Sequence, residues 1–180
     1  MKNIKALIHL LKLAQDDLSI INIRRNEYDD EYDDEDTERY ESEALKLFEG
    51  SGIRMMNKDE FYSVCTNETN EVVGTLVFHQ DGYWDCGEET LPIFYFSRVV
   101  RPDYQGKGIA KKLLEDFLGE FSHEAIIKSE TWNRKLDSDL VRKGFVEEKR
   151  VERWGHGEIV THVLVPSFYK EDYFSEIAKG

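Results

Sequence analysis

The sequence contains little cysteine, little proline and no long apolar run. Its 180 residues include two cysteines and three prolines. Cys65 and Cys86 lie outside any C-x-x-C or cysteine–histidine spacing, so we expect free thiols and no metal site. A nucleophilic Cys65 is the alternative to a buried, inert one. No stretch reaches the roughly eighteen consecutive apolar residues of a membrane helix, and the opening residues do not resemble a signal-peptide core. We therefore expect a cytoplasmic protein with no membrane partner.

Basic residues are also scarce, and the acidic residues are concentrated in one segment. Lysine and arginine number 24 against 37 aspartates and glutamates, which gives a net charge of −13. Residues 27–43 hold eleven of these acids and a single base, Arg39. Phosphate contacts need clustered lysine and arginine, so the charge argues against a nucleic-acid partner. Residues 26–36 are predicted to form a solvated loop, followed by a helix whose dipole favours the acids in its first turns.

The hydrophobic residues, 40% of the chain, are enough to fill one core in a protein of this length. We predict an N-terminal helical extension over 1–17, one domain over 18–165, and a tail over 166–180. The aromatic residues of the tail are expected to pack on the domain or on a second copy of the chain. Apolar periodicity predicts the order β, α, β, β, β, α, β, α, β, β. The predicted strands are 18–24, 61–66, 72–78, 93–100, 125–129, 146–154 and 158–165; the helices begin near 36, 110 and 135, and 79–92 is predicted to be a polar loop.

The most informative segment is residues 99–110, where an apolar strand leads through a glycine-bearing turn into a helix. The apolar face of that helix is formed by Ala110, Leu113, Leu114, Phe117, Leu118 and Phe121. The first N–H groups of a helix have no internal partner and carry a partial positive charge, so they stabilise a phosphate. Gly106 and Gly108 allow close approach and positive φ. The segment predicts a diphosphate-binding loop; the alternative is a glycine turn before an ordinary amphipathic helix.

Two common nucleotide motifs do not fit this segment. The dinucleotide motif G-x-G-x-x-G would need glycine where the chain has Lys111, and a P-loop would need serine or threonine where it has Gly108. The segment instead resembles the acetyl-coenzyme A motif of the GNAT superfamily of N-acetyltransferases, Arg/Gln-x-x-Gly-x-Gly/Ala. The matching residues are Gln105, Gly108 and Ala110, preceded by a Val-x-Pro at Val100 and Pro102. A weaker match continues downstream through Asn133, Gly144 and Phe145.

The resemblance implies a mixed α/β (α+β) fold, with a mostly antiparallel central sheet flanked by helices and with splayed fourth and fifth strands. The N-terminal helix is an addition to that fold. The implied cofactor is acetyl-CoA, with its pantetheine arm on the backbone of Val99 and Val100, beside a strand bulge. The N–H groups of Gly106, Lys107, Gly108, Ile109 and Ala110 would take the diphosphate, and Asn133 is a further cofactor-binding candidate. Gln105 and Lys107 would border it, although Lys107 could equally be solvated.

The resemblance further implies direct transfer of an acetyl group to a primary amine of a small molecule or protein. The family's usual acid, a tyrosine, is replaced here by Leu140. Its usual strand carboxylate is replaced by Ser97, which leaves Glu130, Glu88 and Glu89 as substitutes. The acidic segment suggests a cationic acceptor such as a basic protein segment, a polyamine or an aminoglycoside-like compound. The alternative is a weak or inactive acyl-CoA-binding protein that uses the acidic segment to bind a basic partner.

Overall fold

The computed structural model describes residues 18–23, 34–53, 60–87, 89–132, 134–153 and 157–179. The strands are β1 (Ser19–Asn22), β2 (Glu60–Thr66), β3 (Val72–Asp85), β4 (Thr90–Val100), β5 (Ile126–Thr131), β6 (Val146–Arg153) and β7 (Gly157–Leu164). The helices are α1 (Asp34–Ser51), α2 (Ile109–Phe121), α3 (Arg134–Arg142) and α4 (Lys170–Ile177), with 3-10 turns at Pro102–Tyr104 and Ser167–Tyr169. Within the described residues, no helix combines the length and apolar composition needed to cross a bilayer.

The seven strands form one sheet in the order β1-β2-β3-β4-β5-β7-β6. β4 and β5 pair in parallel, whereas β1 with β2, β2 with β3, and β7 with both β5 and β6 pair antiparallel. The parallel ladder joins Ile93–Tyr95 to Ile126–Lys128, and both strands continue beyond it. The mixed, mostly antiparallel sheet and the predicted order of elements are confirmed. The expected bulge beside Val99 lies beyond this ladder and stays a prediction.

Two predicted boundaries differ from the structure. The prediction of a polar loop over residues 79–92 is wrong. β3 extends to Asp85 and β4 begins at Thr90, so only a short turn remains between the two strands. The physical reason is that this stretch keeps buried apolar side chains, Trp84 and Leu91, beneath a polar outer surface. The helix expected from about residue 36 begins at Asp34 and takes up the end of the acidic segment. The predicted extension over 1–17 and most of the acidic loop lie outside the described residues.

The chain divides into two compact units. The first contains the described residues of Met1–Phe78 and Arg98–Phe117. Its core contains the fully buried ring of Tyr62, whose centroid lies 5.2 Å from that of Phe117 and 6.2 Å from that of Phe78. A second cluster joins Phe48 of α1 to Val77 and Val99, which fixes the end of β4 within this unit.

The second unit comprises His79–Ser97 and Leu118–Gly180. Its core cluster includes Trp84, Ile126, Val163 and Tyr173. Tyr173 belongs to α4, and the Trp84 indole N–H donates to the Glu176 carboxylate of the same helix at 2.8 Å. The tail therefore packs on its own chain, which was one of the two alternatives expected for it.

Candidate functional site

The connection from β4 to α2, residues 101–108, forms a tight glycine-containing turn that we call the glycine loop. It opens with a 3-10 turn in which the Tyr104 N–H donates to the Arg101 carbonyl at 2.9 Å. Gly106 and Gly108 both have positive φ, +80° and +86°. L-residues rarely adopt this left-handed conformation, whereas glycine does so without a Cβ penalty. The two glycines therefore allow the chain to turn directly into α2.

Four backbone amides at the end of this turn and the start of α2 are available to a ligand. At the start of α2, the Lys112 N–H donates to the Gly108 carbonyl at 3.0 Å. Among the described residues, no acceptor is found for the N–H groups of Gly106, Gly108, Ile109 and Ala110. These four donors lie at the positive end of a helix of 13 residues. A Cβ added to Gly106 would have no heavy atom within 4 Å, so the loop is open on that side. The geometry fits an anion such as a diphosphate.

Two contacts fix the glycine loop and the start of α2 to the sheet. The Arg98 guanidinium donates to the Ala110 carbonyl at 2.7 Å, which joins β4 to the first helical turn. The Arg101 N–H donates to the Val73 carbonyl at 2.9 Å, which joins the beginning of the glycine loop to β3. Sequence analysis did not single out Arg98, because neither its position nor its type belongs to the motif that identified the loop.

Side chains of the glycine loop interact with one another and with residues outside the loop. Lys107 Nζ lies 4.5 Å from the centroid of the Tyr104 ring, and the Arg101 guanidinium lies 4.6 Å from the same centroid. Arg101 also donates to Asp103 at 2.8 and 3.1 Å, and this hydrogen bond lowers the pKa of the Asp103 carboxyl. Lys107, which belongs to the loop, is partly buried. Gln105 is exposed, and its side-chain amide turns back to donate to the Val100 carbonyl at 3.3 Å.

The sequence profile of the acetyltransferase (GNAT) family matches residues 19–137. The chain belongs to the GNAT acetyltransferase family. No curated protein matches this sequence. The GNAT fold is also found in solved structures that are similar to this chain. One, from Corynebacterium glutamicum, is described as histone acetyltransferase HPA2 and related acetyltransferase; it is 14% identical over 83% of this chain and 97% of that one, with a TM-score of 0.56.

Two further solved structures resemble this GNAT domain. NAA60 from Arabidopsis thaliana, in complex with acetyl-CoA, is 13% identical over 81% of this chain and 97% of its own, with a TM-score of 0.54. A chain of the NatC complex bound to Gag peptide and CoA is 15% identical, with coverages of 83% and 99% and a TM-score of 0.52. At these identities the likeness shows the fold alone.

The sequence-predicted proton-handling residues of this GNAT domain belong to the second unit. Ser97 is partly buried on β4, and Glu130 is exposed on β5. Glu89 is exposed and accepts a hydrogen bond from the Tyr169 hydroxyl. Glu88 and Asn133 lie outside the described residues. Leu140, at the position of the family's usual tyrosine, is 1% exposed and belongs to the core, so its side chain supplies no acid there.

The second unit also contains a polar cluster that sequence analysis missed, formed by Tyr95, Lys128, Glu148 and Tyr173. Lys128 Nζ lies 2.7 Å from a Glu148 carboxylate oxygen, with side chains only 13% and 11% exposed. The Tyr173 hydroxyl donates to the same oxygen, and Tyr95 is the register partner of Lys128. Burial, and then the negative charges of Glu148, Glu130 and Asp81, raise the pKa of Tyr95 to about 12. The Tyr95 hydroxyl therefore stays protonated at neutral pH and can donate a hydrogen bond.

Proposed function

We propose that this protein is an acetyl-CoA-dependent N-acetyltransferase that transfers an acetyl group directly to a primary amine. The observation that carries the proposal is the set of four available amides, from Gly106 to Ala110, at the start of α2 beside two positive-φ glycines. Membership of the GNAT family supports the same activity. The presence of acetyl-CoA in the NAA60 structure, and of CoA in the NatC structure, supports the choice of cofactor.

The residues of the first unit fit this cofactor. The amides of Gly106, Gly108, Ile109 and Ala110 would hold the diphosphate, with Lys107 and Gln105 at its border. The backbone of Val99 and Val100 would hold the pantetheine arm. Asn133, which lies outside the described residues, is a further candidate from sequence alone. Acetyl-CoA supplies the activated acetyl thioester. The chain's own task is then to orient the reactants and to move protons.

Proton removal is assigned to Glu130, since an amine must be neutral to attack a carbonyl carbon. Glu130 is an exposed carboxylate on β5, and Ser97 on β4 offers a hydroxyl that can hydrogen-bond but is a poor base. We expect Glu130→Gln to lower kcat/KM for the amine about 10²-fold or more, since general bases contribute on that order. The dissociation constant for CoA should stay unchanged. An unchanged pH–rate profile in this variant would contradict the assignment.

The acceptor proposed for this enzyme is a cationic amine, either a small molecule or a basic protein segment. The support is the concentration of acidic residues in 27–43 and the net charge of −13. Acidic surfaces accelerate the encounter with cations, and this effect weakens as salt screens the charges. Acetylation rates for spermine, an aminoglycoside and a lysine-rich peptide should therefore exceed those for neutral amines and fall with ionic strength.

A second candidate function is an acyl-CoA-binding protein without turnover. It is favoured by Leu140, which is apolar and buried where the family has a tyrosine acid, and by Ser97 at the place of the usual carboxylate. Calorimetry with acetyl-CoA, followed by release of free CoA thiol with a broad amine panel, separates the two. Binding with turnover supports the enzyme; binding without turnover supports the second candidate. Absence of binding contradicts both.

A further inference from the structure

Gly74, the third residue of β3, lies against the first residue of α2. A Cβ built on Gly74 would be 2.7 Å from Cγ2 of Ile109. Carbon atoms of this kind pack best at about 3.5–4.0 Å, so the two groups could not occupy their present positions together. Glycine inside a strand weakens the strand, and its presence there marks the close approach of another part of the chain.

The Ile109 side chain has little freedom to move away from a Cβ at position 74. Ile109 is 1% exposed, and its Cγ2 is attached directly to Cβ of a branched side chain with one strongly preferred rotamer in helices. The same added Cβ would lie 3.5 Å from both Leu113 Cδ1 and Val100 Cγ2, which is ordinary contact distance, so among its three nearest neighbours Ile109 is the one it would overlap. Rotating the Ile109 side chain is therefore costly, and the contact would be relieved by moving the first turn of α2.

That first turn carries two of the four amides available for an anion, those of Ile109 and Ala110. It is also held to β4 through the bond from Arg98 to the Ala110 carbonyl. A displacement of Ile109 would therefore move the amides and strain that bond at once. The space left by the missing side chain of Gly74 sets how closely α2 approaches the sheet.

We propose that Gly74 is a positioning residue for coenzyme binding, acting through Ile109 to place the amides at the start of α2. The inference rests on the proposed function, because it names the residue that sets the geometry of that same coenzyme loop. It concerns a residue of β3, outside the glycine loop and outside the sequence motif.

The test measures the dissociation constant for CoA by calorimetry in wild type, Gly74→Ala, Ile109→Leu and the double variant. Leucine lacks the Cγ2 branch and keeps the backbone N–H of Ile109, so it removes the conflict without removing the amide. In well-organised active sites, misplacing a group by about 1 Å lowers the reaction rate by up to about 10²-fold, which sets the scale expected here. We expect Gly74→Ala to weaken CoA binding about tenfold or more, and the double variant to recover to within about threefold of Ile109→Leu.

The control is Gly50→Ala, because a Cβ at Gly50 meets nothing within 4 Å. All assays are run well below each variant's melting temperature, so that loss of folded protein is not read as loss of affinity. A merely structural role would lower the melting temperature but leave the affinity of the folded protein unchanged, and that result would overturn the proposal. Failure of Ile109→Leu to restore binding would overturn it as well.

Two further outcomes are distinct from these. If wild type does not bind CoA, the proposed function fails and this inference fails with it. If Gly74→Ala does not fold, the double variant decides: it must fold and bind CoA like Ile109→Leu, and failure to do so overturns the proposal.

Discussion

Replacing Gly106 by alanine tests whether the glycine loop works through its backbone conformation. Gly106 has φ of +80°, and a Cβ there would meet no heavy atom within 4 Å. The effect of alanine is therefore conformational, without a clash. Holding an L-residue in the left-handed region costs about 1–2 kcal/mol. That penalty must appear either in the stability of the free protein or in the affinity for CoA.

The two outcomes differ in what the free loop does. If alanine keeps the left-handed conformation, we expect the free energy of unfolding to fall by about 1–2 kcal/mol with CoA affinity unchanged. If the free loop instead relaxes to another conformation, CoA must restore the left-handed conformation when it binds. The same cost of about 1–2 kcal/mol then lowers the affinity for CoA by about 5–30-fold. Urea unfolding and calorimetry with CoA, performed on the same preparations, measure the two quantities. Their sum should equal about 1–2 kcal/mol.

Gly106→Asn is the matched variant, since asparagine is larger than alanine but tolerates the left-handed region better. We expect it to lose less than Gly106→Ala in the summed free energy. A loss as large with asparagine as with alanine would mean that side-chain bulk is responsible. No loss with either variant would contradict the prediction, because positive φ at Gly106 would then be unimportant for the loop.

Three further predictions concern the two units separately. Burial raises the pKa of the Cys65 thiol to about 11 from 9.0, so a disulfide reagent at pH 8 should modify Cys86 quickly and Cys65 only on unfolding. The stabilisation that comes from the raised pKa of Cys65 is full below about pH 9 and is lost as the pH rises from about 9 to about 11. Unfolding curves measured across this pH range with and without Cys65→Ala would detect that loss. Glu148→Gln should lower the free energy of unfolding by about 3–5 kcal/mol, because it leaves the Lys128 ammonium buried without its partner, and Lys128→Met in the same chain should recover most of the loss. Gly119→Ala, at an exposed position of α2 where a Cβ meets nothing within 4 Å, should raise that free energy by about 0.5–1 kcal/mol in urea unfolding.

The sequence predicted best those features that depend on neighbouring residues. The glycine loop and α2 were predicted because glycine spacing and helical periodicity are local signals. β3 beyond Phe78 was missed because four consecutive residues, Gln80 to Tyr83, are exposed, and the buried Trp84 that follows them is a single apolar signal. Composition alone does not distinguish a solvated loop from a strand with one polar face.

The features of the candidate site that sequence analysis missed depend on contacts between distant segments. Gly74 was visible as a glycine inside a predicted strand, which is a signal of close approach, but nothing in the sequence names Ile109 as the residue that approaches. The pairing of Lys128 with Glu148 is harder still to predict from the sequence, because β7 lies between their strands in the sheet. The replacement of the family's usual tyrosine by Leu140 could be identified from the sequence alone, since it is a difference in residue type.

Binding and chemistry place different demands on this chain under the proposed function. Coenzyme binding depends on backbone amides, so it tolerates changes at exposed side chains such as Gln105 and depends on the glycines and on the packing beneath them. Proton transfer depends on side chains, and an acidic environment that attracts a cationic acceptor also stabilises its ammonium form. An enzyme with a cationic acceptor therefore depends more strongly on a general base than an enzyme with a neutral acceptor does. The Tyr95 hydroxyl, with a pKa of about 12, cannot fill that role at neutral pH. The proposal therefore keeps the Glu130 carboxylate on β5 as the base.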